Sequence, residues 1–193
     1  MCGIVAYIGE KEAYPIVLNG LKRLEYRGYD SAGVAVLKNG NINTYKKEGK
    51  VSNLEDFVKD KDVTGGIAIG HTRWATHGPP NDVNAHPHTS ENGNVTLVHN
   101  GIIENYDSIR QELESKGYTF KSDTDTEVLC YLISDIKTNT GVKLGKAIRL
   151  ALQQVVGAYA IVVMCEDEPH KIIVARKSSP LVVGIGKEND FYV

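Results

Sequence analysis

Residues 1–9, MCGIVAYIG, place a cysteine at the second position, directly ahead of a compact apolar run. A run of that length with no polar alternation predicts a buried strand over residues 2–9. Residues 12–25 then shift to helical period, with Ile16, Val17, Leu18, Leu21 and Leu24 on one face. Pro15 is tolerable there because it falls in the first turn, where its missing N–H costs no hydrogen bond. Working outward, residues 32–37 and 41–47 flank Asn39-Gly40, a strong hairpin signal. Ser52 and Glu55 have capping-box spacing and predict a short helix opening there. Residues 66–71 and 95–99 read as strands, separated by a Pro- and His-rich stretch, 72–94, of the kind that is usually a binding loop or a disordered segment. Asn105 is placed to cap a helix that Gly117 stops, and two more helices are expected over 126–137 and 142–155. The chain then returns to strands at 158–165, 171–176, 181–185 and 191–193. Strands, then helices, then strands suggest packed sheets with helices outside them.

The 193 residues suffice for one sizeable α/β domain, and a formal charge of −2 makes no electrostatic case for nucleic acid. No apolar run reaches the roughly 18 residues of a membrane span, and the N-terminus does not read as a secretory signal. Cys2, Cys130 and Cys165 are too few and too far apart for a disulfide framework or a metal knuckle, so a reducing cytoplasm is expected. Ending within an expected strand, residues 1–193 read as one domain cut from a longer protein.

Cys2 has two readings. It can be a small apolar residue at the head of a buried strand. If Met1 is excised, it instead becomes a terminal residue carrying a thiol and a free α-amine. With pKa values of about 8.5 and 7.7–8.0, the amine can accept the thiol proton near neutral pH. Asn100-Gly101 is by default a tight turn, yet it also offers a side-chain amide and a backbone N–H side by side. Arg73 offers two-pronged binding to a carboxylate, and the default for such a residue is a solvated charge. Six histidines invite a metal reading, most of all His86-Pro87-His88. No cysteine or carboxylate cluster accompanies them, so none is expected. Cys130 and Cys165 read as core.

Five stretches then decide between these readings: MCGIVAYIG (1–9), LEYRGYDSAG (24–33), GHTRWATHG (70–78), NAHPH (84–88) and HNGIIENY (99–106). In this order and at these distances they resemble the class II glutamine amidotransferases, the N-terminal-nucleophile glutaminases. The forms YRGYDS and TRWAT are most similar to the sugar-phosphate branch of that class. The likeness runs the length of the chain.

The resemblance implies an α+β fold, a four-layer α/β/β/α sandwich of two mostly antiparallel sheets, the N-terminal nucleophile hydrolase fold. It implies L-glutamine as substrate, Cys2 as nucleophile, and Asn100 with Gly101 as oxyanion donors. Arg73, Thr76 and His77 would receive the α-carboxylate, and Asp125 the α-ammonium, helped by the Gly101 carbonyl. Asp123, close by, would cap the following helix. Arg27 would support the nucleophile, His86 would anchor the long loop, and Trp74 would gate the path of ammonia. In that branch ammonia passes to a C-terminal sugar-phosphate isomerase domain that aminates fructose-6-phosphate. No cofactor and no metal are implied, and a homodimer is compatible. Rival readings are a non-catalytic module of the same fold and another N-terminal hydrolase, such as a penicillin or bile-salt amidase. The RWATHG and HNGIIEN pair, with Arg73 and Asp125 suited to an amino acid, favours the glutaminase.

Overall fold

The opening apolar run forms β1 (Gly3–Ile8), whose two neighbours come from far along the chain in this computed structural model. The structure describes residues 2–75, 77–188 and 190–193. After β1 come α1 (Ala13–Leu24), a single 3-10 turn at Glu25–Arg27, β2 (Ser31–Lys38), β3 (Asn41–Glu48), α2 (Val51–Phe57) and β4 (Ile67–Arg73). The second half contains β5 (His88–Thr89), β6 (Val95–Ile103), α3 (Tyr106–Ser115), α4 (Asp125–Thr140), α5 (Leu144–Leu152), β7 (Gly157–Cys165), β8 (Ile173–Lys177), β9 (Gly184–Ile185) and β10 (Phe191–Tyr192). One sheet runs β3-β2-β4-β1-β10-β9 and the other β5-β6-β7-β8, with every paired strand antiparallel.

Three separate apolar layers make this a four-layer sandwich. Val17, Leu18 and Leu21 of α1 and Leu54 of α2 cover the outer face of the first sheet against Tyr7, Val34 and Ala68. Leu113, Leu129, Ile133 and Ile148 of α3, α4 and α5 cover the outer face of the second against Leu97, Ile161 and Val163. Between the sheets lie Ala6, Ala35, Ile67, Ile69, Val98, Val162 and Met164. Alternation along a strand therefore has a direct meaning here, since odd and even residues face different layers. The expected α/β/β/α order is what the chain adopts.

Several local expectations are corrected. Ser52 and Glu55 form no capping box: α2 begins at Val51 without a side-chain cap, and the Val51 N–H donates instead to Glu25 Oε2 at 2.6 Å. Asn105 does stand at the N-cap of α3, but its side chain caps nothing. It donates to Gln154 O at 2.8 Å and accepts from Val156 N at 2.9 Å, tying the loop after α5 to the head of α3. Thr124, not Asp123, caps α4 by accepting from the Glu127 N–H at 3.2 Å. Of the strand expected over 181–185, only Gly184–Ile185 pairs. The Asn39-Gly40 hairpin is present, both residues holding positive φ of 51° and 80° as a type I′ turn requires.

Candidate active site

Along β4, Ile67, Ile69, His71 and Arg73 occupy alternate positions facing the space between the sheets, and the layer turns from apolar to polar toward the strand's end. On β6, Val98 faces the same space, and Asn100 follows two residues later. β1 pairs with β4 so that Gly3 lies opposite Thr72, which brings Cys2 beside the end of β4. A cavity of about 540 Å³ opens at this polar end, lined by Cys2, Arg73, His77, Asn100, Gly101 and Asp125 among others. Arg27, Trp74 and His86 line it too. Thr76 lies outside the described residues.

The Cys2 sulfur sits 3.1 Å from the Trp74 backbone nitrogen and 3.5 Å from the Trp74 carbonyl oxygen. Burial pushes the thiol pKa up, while the Trp74 N–H pulls it down. The resting group is therefore a thiol. Gly3 N–H donates to Thr72 Oγ1 at 3.2 Å, pinning the backbone just after Cys2.

Asn100 and Gly101 do not follow a strand as expected; they lie within β6, opposite Ala160 and Tyr159 of β7. Gly101 holds φ of +133°, and a Cβ there would come 2.0 Å from the Ala158 carbonyl oxygen, so only glycine fits. The Asn100 amide donates from Nδ2 to the Cys2 carbonyl at 3.3 Å, and its Oδ1 lies 2.8 Å from His71 Nε2. A carboxamide donor thus stands next to the Cys2 backbone.

Arg73 is 3% exposed, and its guanidinium donates to the carbonyls of His77, Gly78 and Pro79, so it clasps the loop that follows β4. Burial lowers its pKa, opposed by Cys2, Asp30, Asp125 and Asp123 nearby. Asp125, at the first turn of α4, is 4% exposed and accepts from the Ile103 N–H at 2.8 Å. A buried cation and a buried anion therefore line one cavity. Asp123 pairs instead with Asn84, which donates to its carboxylate at 3.1 Å and accepts its N–H at 3.0 Å. The His77 ring packs edge-on against Tyr106 at 5.3 Å. Trp74 is 47% exposed and meets Tyr29 edge-on.

The buried histidines form a column. His71 stacks on His86 at 4.2 Å between ring centroids, and His86 meets His88 at 5.0 Å. His86 precedes a cis peptide bond to Pro87, and its Nδ1 accepts from the His99 N–H at 3.4 Å. Among the described residues no cluster of His, Cys, Asp or Glu is arranged to hold a metal ion. Cys130 and Cys165 are both buried, and burial raises both thiols, that of Cys165 to about 12.

Sequence reasoning missed three supports. Asp30 accepts from the Ala75 N–H at 2.8 Å, and its own N–H donates to Arg73 O at 3.0 Å, so the 24–33 stretch holds the loop after β4 from the other side. The Trp74 backbone amide, not its indole, faces the sulfur. His71 was legible in principle, because Ile67-x-Ile69-x-His71-x-Arg73 carries two apolar and two polar positions on one strand face.

The profile of the glutamine amidotransferase domain family matches residues 57–193. The chain is 59% identical over 192 residues to the glutamine–fructose-6-phosphate aminotransferase [isomerizing] of Bacteroides thetaiotaomicron, covering 99% of this chain and 31% of that protein. It is 50% identical to the protein of the same name from Pyrococcus horikoshii, with 99% and 32% covered. The chain thus spans about a third of the length of the curated relatives it matches. Among solved structures, glutamine phosphoribosylpyrophosphate amidotransferase from B. subtilis, complexed with ADP and GMP, superposes with a TM-score of 0.85 at 30% identity over all of this chain and 41% of that one. With the family profile matching well over half its length, this chain belongs to the glutamine amidotransferase domain family.

Proposed function

We propose that this chain hydrolyses L-glutamine to glutamate and ammonia through a γ-glutamyl thioester on Cys2. The observation that carries the reading is the convergence of a thiol, a carboxamide donor, a buried Arg73 and a buried Asp125 on one cavity. Glutamine has a carboxylate, an ammonium and a carboxamide, and each finds a complementary group there. Once Met1 is removed, the Cys2 amine accepts the thiol proton and the thiolate attacks the carboxamide carbon. Asn100 Nδ2 and the Gly101 N–H receive the oxyanion. As the C–N bond breaks, the amine returns its proton to the departing ammonia. Water then attacks the thioester with the amine again as base, the C–S bond breaks to release glutamate, and the amine returns the proton to the Cys2 sulfur. Arg73, with Thr76 and His77, binds the α-carboxylate, and Asp125 with the Gly101 carbonyl binds the α-ammonium. Arg27, Trp74 and His86 shape the walls around them.

The relatives' name supports a wider reading, in which residues 1–193 are the glutaminase portion of a longer enzyme. Ammonia would there pass to a sugar-phosphate isomerase portion and aminate fructose-6-phosphate. Among the described residues no helix is long and apolar enough to cross a membrane. Three free cysteines suit a reducing compartment such as the cytoplasm.

The test is ammonia release from glutamine by the purified chain, with its N-terminus defined by mass spectrometry. The Met1-free chain turns over, and Cys2→Ala abolishes turnover while leaving the thermal unfolding curve in place. Diazo-oxo-norleucine labels Cys2 and spares Cys130 and Cys165, whose thiols burial holds protonated. Equal labelling of all three would overturn the assignment.

A further inference from the structure

Asn100 is held from behind by a residue that the steps above leave unused. His71 is buried, stacks on His86, and points Nε2 at Asn100 Oδ1 from 2.8 Å. Two constraints decide which atoms face each other. The Cys2 carbonyl can only accept, so the end of the Asn100 amide 3.3 Å from it must be the NH2 group. The other end is then Oδ1, which also only accepts, so the ring nitrogen opposite must carry hydrogen. His71 Nδ1 is buried and makes no hydrogen bond, while Nε2 has Asn100 Oδ1 at 2.8 Å as its acceptor. Burial holds the His71 pKa down to about 3, which keeps the ring neutral at working pH.

We propose that His71 is a positioning residue: its Nε2–H locks the Asn100 amide with the NH2 end toward Cys2, so that a donor and not a carbonyl oxygen meets the oxyanion. The inference rests on the glutaminase reading. A side-chain amide rotated by half a turn has nearly the same shape and the opposite dipole. Without a donor at Oδ1, the flipped form loses one of its two penalties, leaving only the 3.3 Å contact with the Cys2 carbonyl to oppose it, and would turn a partial negative charge toward the developing one. The stack on His86 keeps the ring in place, and Gly33 leaves room for the His86 backbone: a Cβ there would stand 2.0 Å from the His86 carbonyl oxygen.

Glutamine hydrolysis is measured for the wild type, His71→Phe, His71→Gln, Asn100→Ala and the double variant His71→Phe with Asn100→Ala. His71→Phe keeps an aromatic ring on His86 and lowers kcat by about 100-fold, the scale of a lost oxyanion donor. KM for glutamine stays within about two-fold, since the ground state does not use the donor. His71→Gln, whose side-chain NH2 can stand where Nε2 stood, recovers to within about ten-fold of wild type. On Asn100→Ala, His71→Phe costs nothing more, because it acts through Asn100. Losses that multiply in the double variant, or a His71→Phe enzyme with wild-type kcat, overturn the proposal. The 15N spectrum of histidine-labelled wild type reads the tautomer without reference to activity. An Nε2–H signal for His71 supports the proposal and an Nδ1–H signal overturns it. A wild type that releases no ammonia from glutamine overturns the glutaminase reading, and this proposal falls with it.

Discussion

Arg73 does two things with one guanidinium: it is nearly inaccessible, and it holds the carbonyls of His77, Gly78 and Pro79. A lysine could keep the charge but could not span three acceptors, because its donors radiate from a single nitrogen. Arg73→Lys therefore weakens the loop and, on the proposed function, the contact with the substrate carboxylate. Asp125→Asn leaves an acceptor for the Ile103 N–H, held at 2.8 Å, but removes the charge that the substrate ammonium needs. Each substitution raises KM for glutamine by an amount corresponding to about 1.5–3 kcal/mol, the cost of a hydrogen bond to a charged group. Steady-state kinetics on both variants check this, and unchanged KM values in the two would remove them from the substrate site.

Elements carry these residues into place, and here neighbouring chain matters more than local pattern. β2 shows it best. Ala35 and Leu37 face the layer between the sheets, and Gly33 continues that face opposite His71 of β4. A Cβ at Gly33 would lie 2.0 Å from the His86 carbonyl oxygen. Gly33→Ala therefore forces β2 and the 84–88 segment apart, an overpacking cost of about 1–3 kcal/mol. Thermal unfolding should fall by about 2–12 °C at this chain length, and glutamine turnover should drop as the histidine column shifts. A melting point within one degree of wild type would show that the segment yields freely. The same dependence on neighbours explains the capping residues. Ser52-x-x-Glu55 has the right spacing, yet Glu25 reaches the helix start first. Asn105 has the right position, yet Gln154 and Val156 take its side chain.

At the scale of the whole molecule, the buried histidines tie stability to pH. Burial lowers the pKa of His71 to about 3, and lowers those of His86 and His88 well below the usual 6.5. Below pH 6.5 the unfolded chain binds protons that the folded chain refuses, so their contribution is intact above that pH and is lost as pH falls. Each histidine adds a slope of up to about 1.4 kcal/mol per pH unit. Denaturant unfolding between pH 7.5 and 5 should show stability falling steeply below 6.5, and His88→Gln should flatten that slope by one proton. A flat profile over this range would mean that the column takes up protons without unfolding.

The sequence by itself determined the order of most elements, the Asn39-Gly40 turn, the core cysteines and part of the cavity lining, Cys2, Arg73, Asn100, Gly101 and Asp125 among it. Those follow from local period, turn chemistry and ordered motifs, each readable within a few residues. Tertiary structure alone decided that Asn100-Gly101 lies inside a strand, because β7 supplies the partner that a turn would lack. It also decided that Arg73 clasps its own loop and that His71 stands behind Asn100, across 29 residues of chain. Pairing two sheets face to face sets which alternate residues meet, and a single strand's pattern carries no record of what stands opposite it.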